Sequence, residues 1–159
     1  MFRPPHLALA ALLAAALPAP HALAEDASVA SRLDARGVKY DVDEDGDYRV
    51  TYHYAEEDRT QLAYVSGRTE TIAGFRVREV FAPAGWVERD GIDGAKALEL
   101  LEESRRQKIG SWETGGGVLY YVIKLPDSVD AAGLEAALDI VAEIADNKEI
   151  ELSGDRDEL

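Results

Sequence analysis

The spacing of hydrophobic and polar positions changes repeatedly along this chain, and each change marks an element. Val29, Ala30 and Leu33 recur at helical spacing behind Asp26 and Ser28, either of which can cap a short first helix, and Gly37 supplies a left-handed stop. The period then becomes two. Val38, Tyr40 and Val42 alternate with Lys39, Asp41 and Asp43, and Tyr48, Val50, Tyr52 and Tyr54 alternate with Arg49, Thr51 and His53. Between them Asp45 and Gly46 form a turn dipeptide, so the two runs close into a hairpin with one apolar face. Residues 61–65 read as a third strand, ended by Ser66 and Gly67. Residues 72–81 read as a fourth, whose Arg76, Arg78 and Glu79 suit a sheet edge and which Pro83 stops. Residues 82–91 carry Trp86 and no period, and read as an irregular loop.

Helical spacing returns behind Asp93, with Ala97, Leu98 and Leu101 turned inward and Arg105, Arg106 and Lys108 opposing the negative end of the dipole before Gly110. Val118 to Leu125 is a β-branched and aromatic run behind Gly115, Gly116 and Gly117, which supply a hairpin turn back to a strand over 110–114. Pro126 ends that ladder. Asp130 then caps a third helix, with Val129 and Leu134 as a hydrophobic staple, and Leu134, Ala137, Leu138, Ile140, Val141, Ile144 and Ala145 make a stripe wide enough to cover a sheet. Beyond Ala145 that helix either runs on or breaks near Asn147. The order α-β-β-β-β-α-β-β-α predicts an α+β fold, an antiparallel sheet of five to six strands with three helices on one face.

One strand is apolar on both sides. Val118, Tyr120 and Val122 point one way, and Leu119, Tyr121, Ile123 and Leu125 the other. Helices on one face cover only one of these sets, so the other calls for the 82–91 loop, a second copy of the chain or a partner protein. Trp86, Tyr120, Tyr121 and Ile123 are the candidate partner surface, because aromatic side chains with a polar tip suit interfaces.

Composition narrows the setting. Arg3 followed by the Leu7 to Leu17 run, Pro18, Pro20 and the small residues Ala22 and Ala24 resemble a signal peptide over residues 1–24, cleaved near Ala24, which predicts a periplasmic or secreted protein with no membrane segment after cleavage. Residues 25–152 are then one domain, and 153–159 a loose acidic tail. Its closing Arg156 to Leu159 matches an endoplasmic-reticulum retention tetrapeptide, read here as a chance match beside a bacterial-looking leader. The formal net charge is −14, one unit more negative without Arg3, so nucleic acid is excluded as a partner class. Cysteine is absent, which removes thiol nucleophiles, thiolate metal sites and redox pairs.

Candidate chemistry is sparse. Asp41, Asp43, Asp45 and Gly46 match the opening of a calcium loop, so a calcium-responsive domain using Asp41–Asp47 is one alternative; but Tyr52 stands where the bidentate glutamate belongs, and the flanks are strands. His53 is the only histidine beyond the leader and has no nucleophile motif to serve. The three glycines at 115–117 lead into a strand with no helix N-terminus or lysine behind them, which makes them a turn and not a phosphate cradle. Paired carboxylates for a hydrolase, the other alternative, carry no signal among 31 acidic residues. No catalytic residue, cofactor or metal ligand is assigned.

Val38 to Asp47 (VKYDVDEDGD) after a short first helix, the Gly115–Gly117 hairpin, the Lys124 to Pro126 segment and Ala142 to Asp146 (AEIAD) together resemble the YbjN family of bacterial sensory-transduction regulators over nearly the whole chain after the leader. The resemblance implies a fold like that of type III secretion chaperones and a non-enzymatic, chaperone-like module that binds a protein partner or forms a homodimer. It implies no active-site residues. An export leader and the strand over 72–81 are additions to the minimal chaperone pattern.

Overall fold

The computed structural model describes residues 26–55, 58–154, 156, 157 and 159; the leader lies outside them. Among the described residues the chain is an α+β fold with three helices and an antiparallel open sheet of seven strands. Its elements are α1 (Ala27–Arg36), β1 (Asp41–Val42), β2 (Tyr48–Tyr54), β3 (Arg59–Val65), β4 (Glu70–Ile72), β5 (Phe75–Trp86), α2 (Gly94–Arg106), β6 (Ser111–Gly115), β7 (Val118–Pro126) and α3 (Ala131–Ser153). The sheet runs β1-β2-β3-β5-β7-β6, with β4 paired to β5 off this path. Among the described residues no helix is long and apolar enough to cross a membrane.

The caps form where the side-chain chemistry places them. Asp26 accepts from Ser28 N–H at 2.9 Å and Asp130 from Gly133 N–H at 2.8 Å, each satisfying a helix donor that has no partner within its helix. Two hairpins close through two-residue turns in which both residues have positive φ: Gly116 and Gly117 between β6 and β7, Ala73 and Gly74 between β4 and β5. The primed turn matches strand twist, so even Ala73 is held at φ 50° there.

Helix α3 lies over β3, β5 and β7 and does not break at Asn147; it continues to Ser153. Leu134, Ala137, Leu138, Val141, Ala142 and Ala145 are buried against Val65, Val80, Ala82, Leu119 and Ile123. Burial of this kind contributes about 25 cal/mol per Å² of apolar surface and is the main force holding helix to sheet. Helix α1 packs on α3 through Val29 and Leu33. Helix α2 differs from the sequence expectation. Leu98 is 64% and Leu101 61% exposed, and only Leu100 is buried. Polar contacts supplement that one anchor: Trp112 N–H donates to Ser104 Oγ at 2.9 Å and its indole to Glu103 at 3.0 Å, and Lys148 of α3 reaches Glu103 at 3.0 Å. The helix sits at the edge of the layer, beside β6, so a single anchor suffices and Leu98 and Leu101 face out.

The fourth strand also departs from expectation. Residues 70–86 form two strands, not one ending at Phe81, and β5 lies inside the sheet between β3 and β7. Arg78 does not mark an edge: it is 1% exposed, and its guanidinium donates to Asp26, to Asp127 at 2.8 Å and to the Ser66 carbonyl. A buried charge is tolerated when it is paired and fully hydrogen-bonded, and this one ties α1, the β3–β4 turn and the β7–α3 loop together.

Asp26 responds to acid through this cluster. Its hydrogen bond with Ser28, and then the charge of Arg78, hold its carboxyl below the ordinary 3.8, against the effect of burial. A depressed carboxylate contributes stability above its unfolded pKa that is lost as pH falls through its folded one, so the window lies below about pH 3.8. Urea midpoints of the protein and Asp26→Asn are expected to differ at pH 6 and to converge below that window; a gap independent of pH would contradict the linkage.

Candidate functional site: a groove on the open face

Pro83 shapes the site. Its carbonyl accepts from Gln61 Nε2 at 2.9 Å, so that side of Pro83 faces β3, and the ring leaves no N–H there to donate. The β3–β5 ladder accordingly holds only Tyr64 to Phe81 and Val65 to Val80, and beyond it the two strands part. Just past Pro83 the β5–β7 register slips, with Pro83 opposite Tyr120 and Gly85 opposite Leu119. One extra residue in β5 inverts which face its side chains take. Even-numbered Val80 and Ala82 face the helices, yet even-numbered Trp86 emerges beside Val118 on the opposite face.

A groove of about 420 Å³ results, lined by Leu62, Tyr64, Phe81, Pro83, Trp86, Val118 and Tyr120 with Asp43, Asp45 and Asp47 at its border and Leu159 among its walls. The rings form a continuous run. Tyr64 and Phe81 stack at 5.1 Å with planes 7° apart, and Phe81 meets Tyr120 edge-on at 5.8 Å. Burial holds the phenols of Tyr64 and Tyr120 above their ordinary pKa, so both stay neutral and can donate or accept at neutral pH. Trp86 is 40% exposed, with the Arg89 guanidinium 5.8 Å from its ring centroid.

Of the four side chains assigned to a partner surface, the structure brings Trp86 and Tyr120 together here and removes the other two. Tyr121 and Ile123 are fully buried on the helix face, with Tyr121 packed edge-on against Trp112 and donating to the Ile109 carbonyl. Strand alternation separates Tyr120 from its neighbour, and the helix layer covers the Tyr121 side. Residues 82–86, expected as part of an irregular loop, are strand, and Pro83 and Trp86 among them line the groove. Val118 shares its strand face with Tyr120 as the alternation predicts, whereas Leu62, Tyr64 and Phe81 were not singled out from sequence. Their parity with Tyr120 across neighbouring strands is the signal that would have found them.

The acidic border is engaged with its own backbone. Asp43 Oδ1 accepts from the N–H groups of Asp45 and Asp47 at 3.0 Å each, and Asp47 Oδ1 accepts from Gly67 N–H at 2.9 Å. Asp41 is exposed on β1 and pairs with Arg49 at 3.4 Å. Burial, and the adjacent Asp43 and Asp45 charges, push the Asp47 carboxyl above its ordinary value. Among the described residues no three acidic or histidine side chains are arranged to hold a metal ion. His53 is exposed on β2, in register with Thr60.

No family model and no curated protein matches the chain. The chemistry of the groove is therefore read from its own residues: an aromatic floor and a carboxylate border.

Proposed function

We propose that this chain is an exported, non-enzymatic protein-binding module, of the kind its resemblance to YbjN-type regulators implies, which takes a partner polypeptide on the open face of its sheet. The observation that carries this reading is the run of Tyr64, Phe81 and Tyr120 on the face away from the helices, continued by Leu62, Val118 and Trp86. Half-buried aromatic rings present large apolar area at small entropic cost, which is what partner anchoring requires. The carboxylates of Asp43, Asp45 and Asp47 along one side favour a segment that sets lysine or arginine next to an aromatic or aliphatic residue.

Selection of displayed random peptides tests the proposal, with Tyr120→Asp as the counter-target. The substitution places a charge among the rings without touching the helix face, so thermal stability should change little while binding falls at least about tenfold. Enrichment of cationic, aromatic peptides that ignore Tyr120→Asp is expected not to occur. Equal enrichment on both targets, or none on either, would reject the open face as the binding surface.

A further inference from the structure

Arg156 and Asp157 are held at three points. Arg156 Nη2 donates to Asp90 at 2.9 Å, and the same carboxylate accepts from the Trp86 N–H at 2.6 Å. The Arg156 carbonyl accepts from Arg59 Nη1 at 3.0 Å. The Asp157 carboxylate accepts from Thr60 N–H at 3.2 Å, on the stretch of β3 that Pro83 leaves without a β5 partner. Burial opposes ionisation of Asp90, but the Trp86 N–H, Arg89 and Arg156 hold its carboxyl below the ordinary range. Two residues beyond Asp157, Leu159 lines the groove with Tyr64, Phe81 and Tyr120.

We infer that Arg156, Asp157 and Leu159 belong to a strap, anchored in the gap between β3 and β5, whose Leu159 covers one side of the open-face groove in cis and must move aside before a partner segment takes that side. The inference rests on the proposed binding role of that groove and adds its regulation. The anchors and the occupant act separately: Arg156 and Asp157 bind the polar backbone exposed by the split ladder, whereas Leu159 supplies the apolar contact a partner would replace. Affinity for a partner is reduced by the fraction of molecules in which Leu159 covers its side of the groove. Any modification or partner that draws Arg156 away from Asp90 also loosens the segment carrying Trp86, because both bond to the one carboxylate.

Nile red, a neutral dye that brightens in apolar grooves, reads the occupancy directly. Three proteins are compared: the unaltered chain, Leu159→Ala, and a chain stopped after Gly154. Leu159→Ala keeps the Arg156 and Asp157 hydrogen bonds and decides the matter if the shortened chain unfolds. Removing a competing leucine should tighten dye binding by about tenfold in both altered chains. Tyr120→Asp should abolish the gain, and a synthetic peptide of residues 154–159 should displace the dye from the shortened chain. Unchanged dye affinity in Leu159→Ala would overturn the strap. Peptides selected on the unaltered protein separate the two readings. If they bind but gain nothing from Leu159→Ala, the strap fails and the binding function stands; if dye binding tightens while no peptide is ever selected, the strap stands and the binding function fails.

Discussion

Replacing Arg59 by methionine is expected to cost about 3–5 kcal/mol of folding stability, the largest effect of any single polar substitution proposed here. Arg59 is 8% exposed at the start of β3, and its guanidinium reaches Asp146 at 3.0 Å and Glu149 at 2.9 Å, both on the buried face of α3. Although burial acts to lower its pKa, the hydrogen bond and charge of Asp146 and the charge of Glu149 raise it, so the cation is fixed at any accessible pH. Methionine fills a similar volume but leaves two carboxylates in a dry site without the cation between them. That penalty, more than the lost attraction, sets the magnitude. The triple replacement Arg59→Met, Asp146→Leu, Glu149→Leu should recover most of the loss, because well-packed apolar groups avoid the desolvation cost. Guanidinium unfolding midpoints of the three proteins measure this, and a single variant as stable as the parent would show that the cluster is solvated. Since Arg59 also donates to the Arg156 carbonyl, the single variant should raise Nile red binding as well.

Gly67→Ala is expected to destabilise by about 1–3 kcal/mol and to move the acidic border of the groove. A Cβ built on Gly67 would stand 2.0 Å from the Gly46 carbonyl oxygen, closer than any non-bonded contact, and that atom is backbone and cannot swing aside. The two turns touch because Asp47 accepts the Gly67 N–H. Separating them breaks that bond and displaces Asp43, Asp45 and Asp47 together. Thermal unfolding gives the loss, and amide shifts confined to residues 43–47 and 66–68 would locate it. Gly94→Ala is the control: nothing lies within 4 Å of its Cβ, so it should be neutral or slightly stabilising at the first position of α2. Equal losses at both positions would refute the steric account.

The elements with strong local chemistry were legible without coordinates. Asp26, Asp93 and Asp130 cap the three helices as their side chains allow, the glycines at 116 and 117 turn the β6–β7 hairpin, and the α3 stripe is buried. The readings that changed are those where a long-range partner overrides local pattern. Arg76, Arg78 and Glu79 look like an edge because charges avoid sheet interiors, but Asp26 and Asp127, far away in sequence, pair with Arg78 and make a central strand of it. Leu98 and Leu101 have helical spacing, but α2, placed at the rim, meets the core through Leu100 and turns both of them outward.

The candidate site shows the same division. Strand alternation alone places Val118, Tyr120 and Val122 on one face and Leu119, Tyr121 and Ile123 on the other, since successive side chains must oppose. Which face stays open is decided by where α3 lands, and that depends on contacts across the whole chain. The extra residue after Pro83, which sends Trp86 to the groove side, leaves no trace in hydrophobic pattern because a bulge is a relation between two strands.

By itself the order of residues determined the three helices and their caps, the β1–β2 and β6–β7 turns and the two-sided apolar character of β7, because hydrogen bonds and side-chain periods within a few positions suffice for these. The tertiary structure alone decided the central place of β5, the gap beside Pro83, the inversion at Trp86 and the placement of Leu159 at the groove wall. Each of those joins groups distant along the chain, whose meeting no local preference encodes.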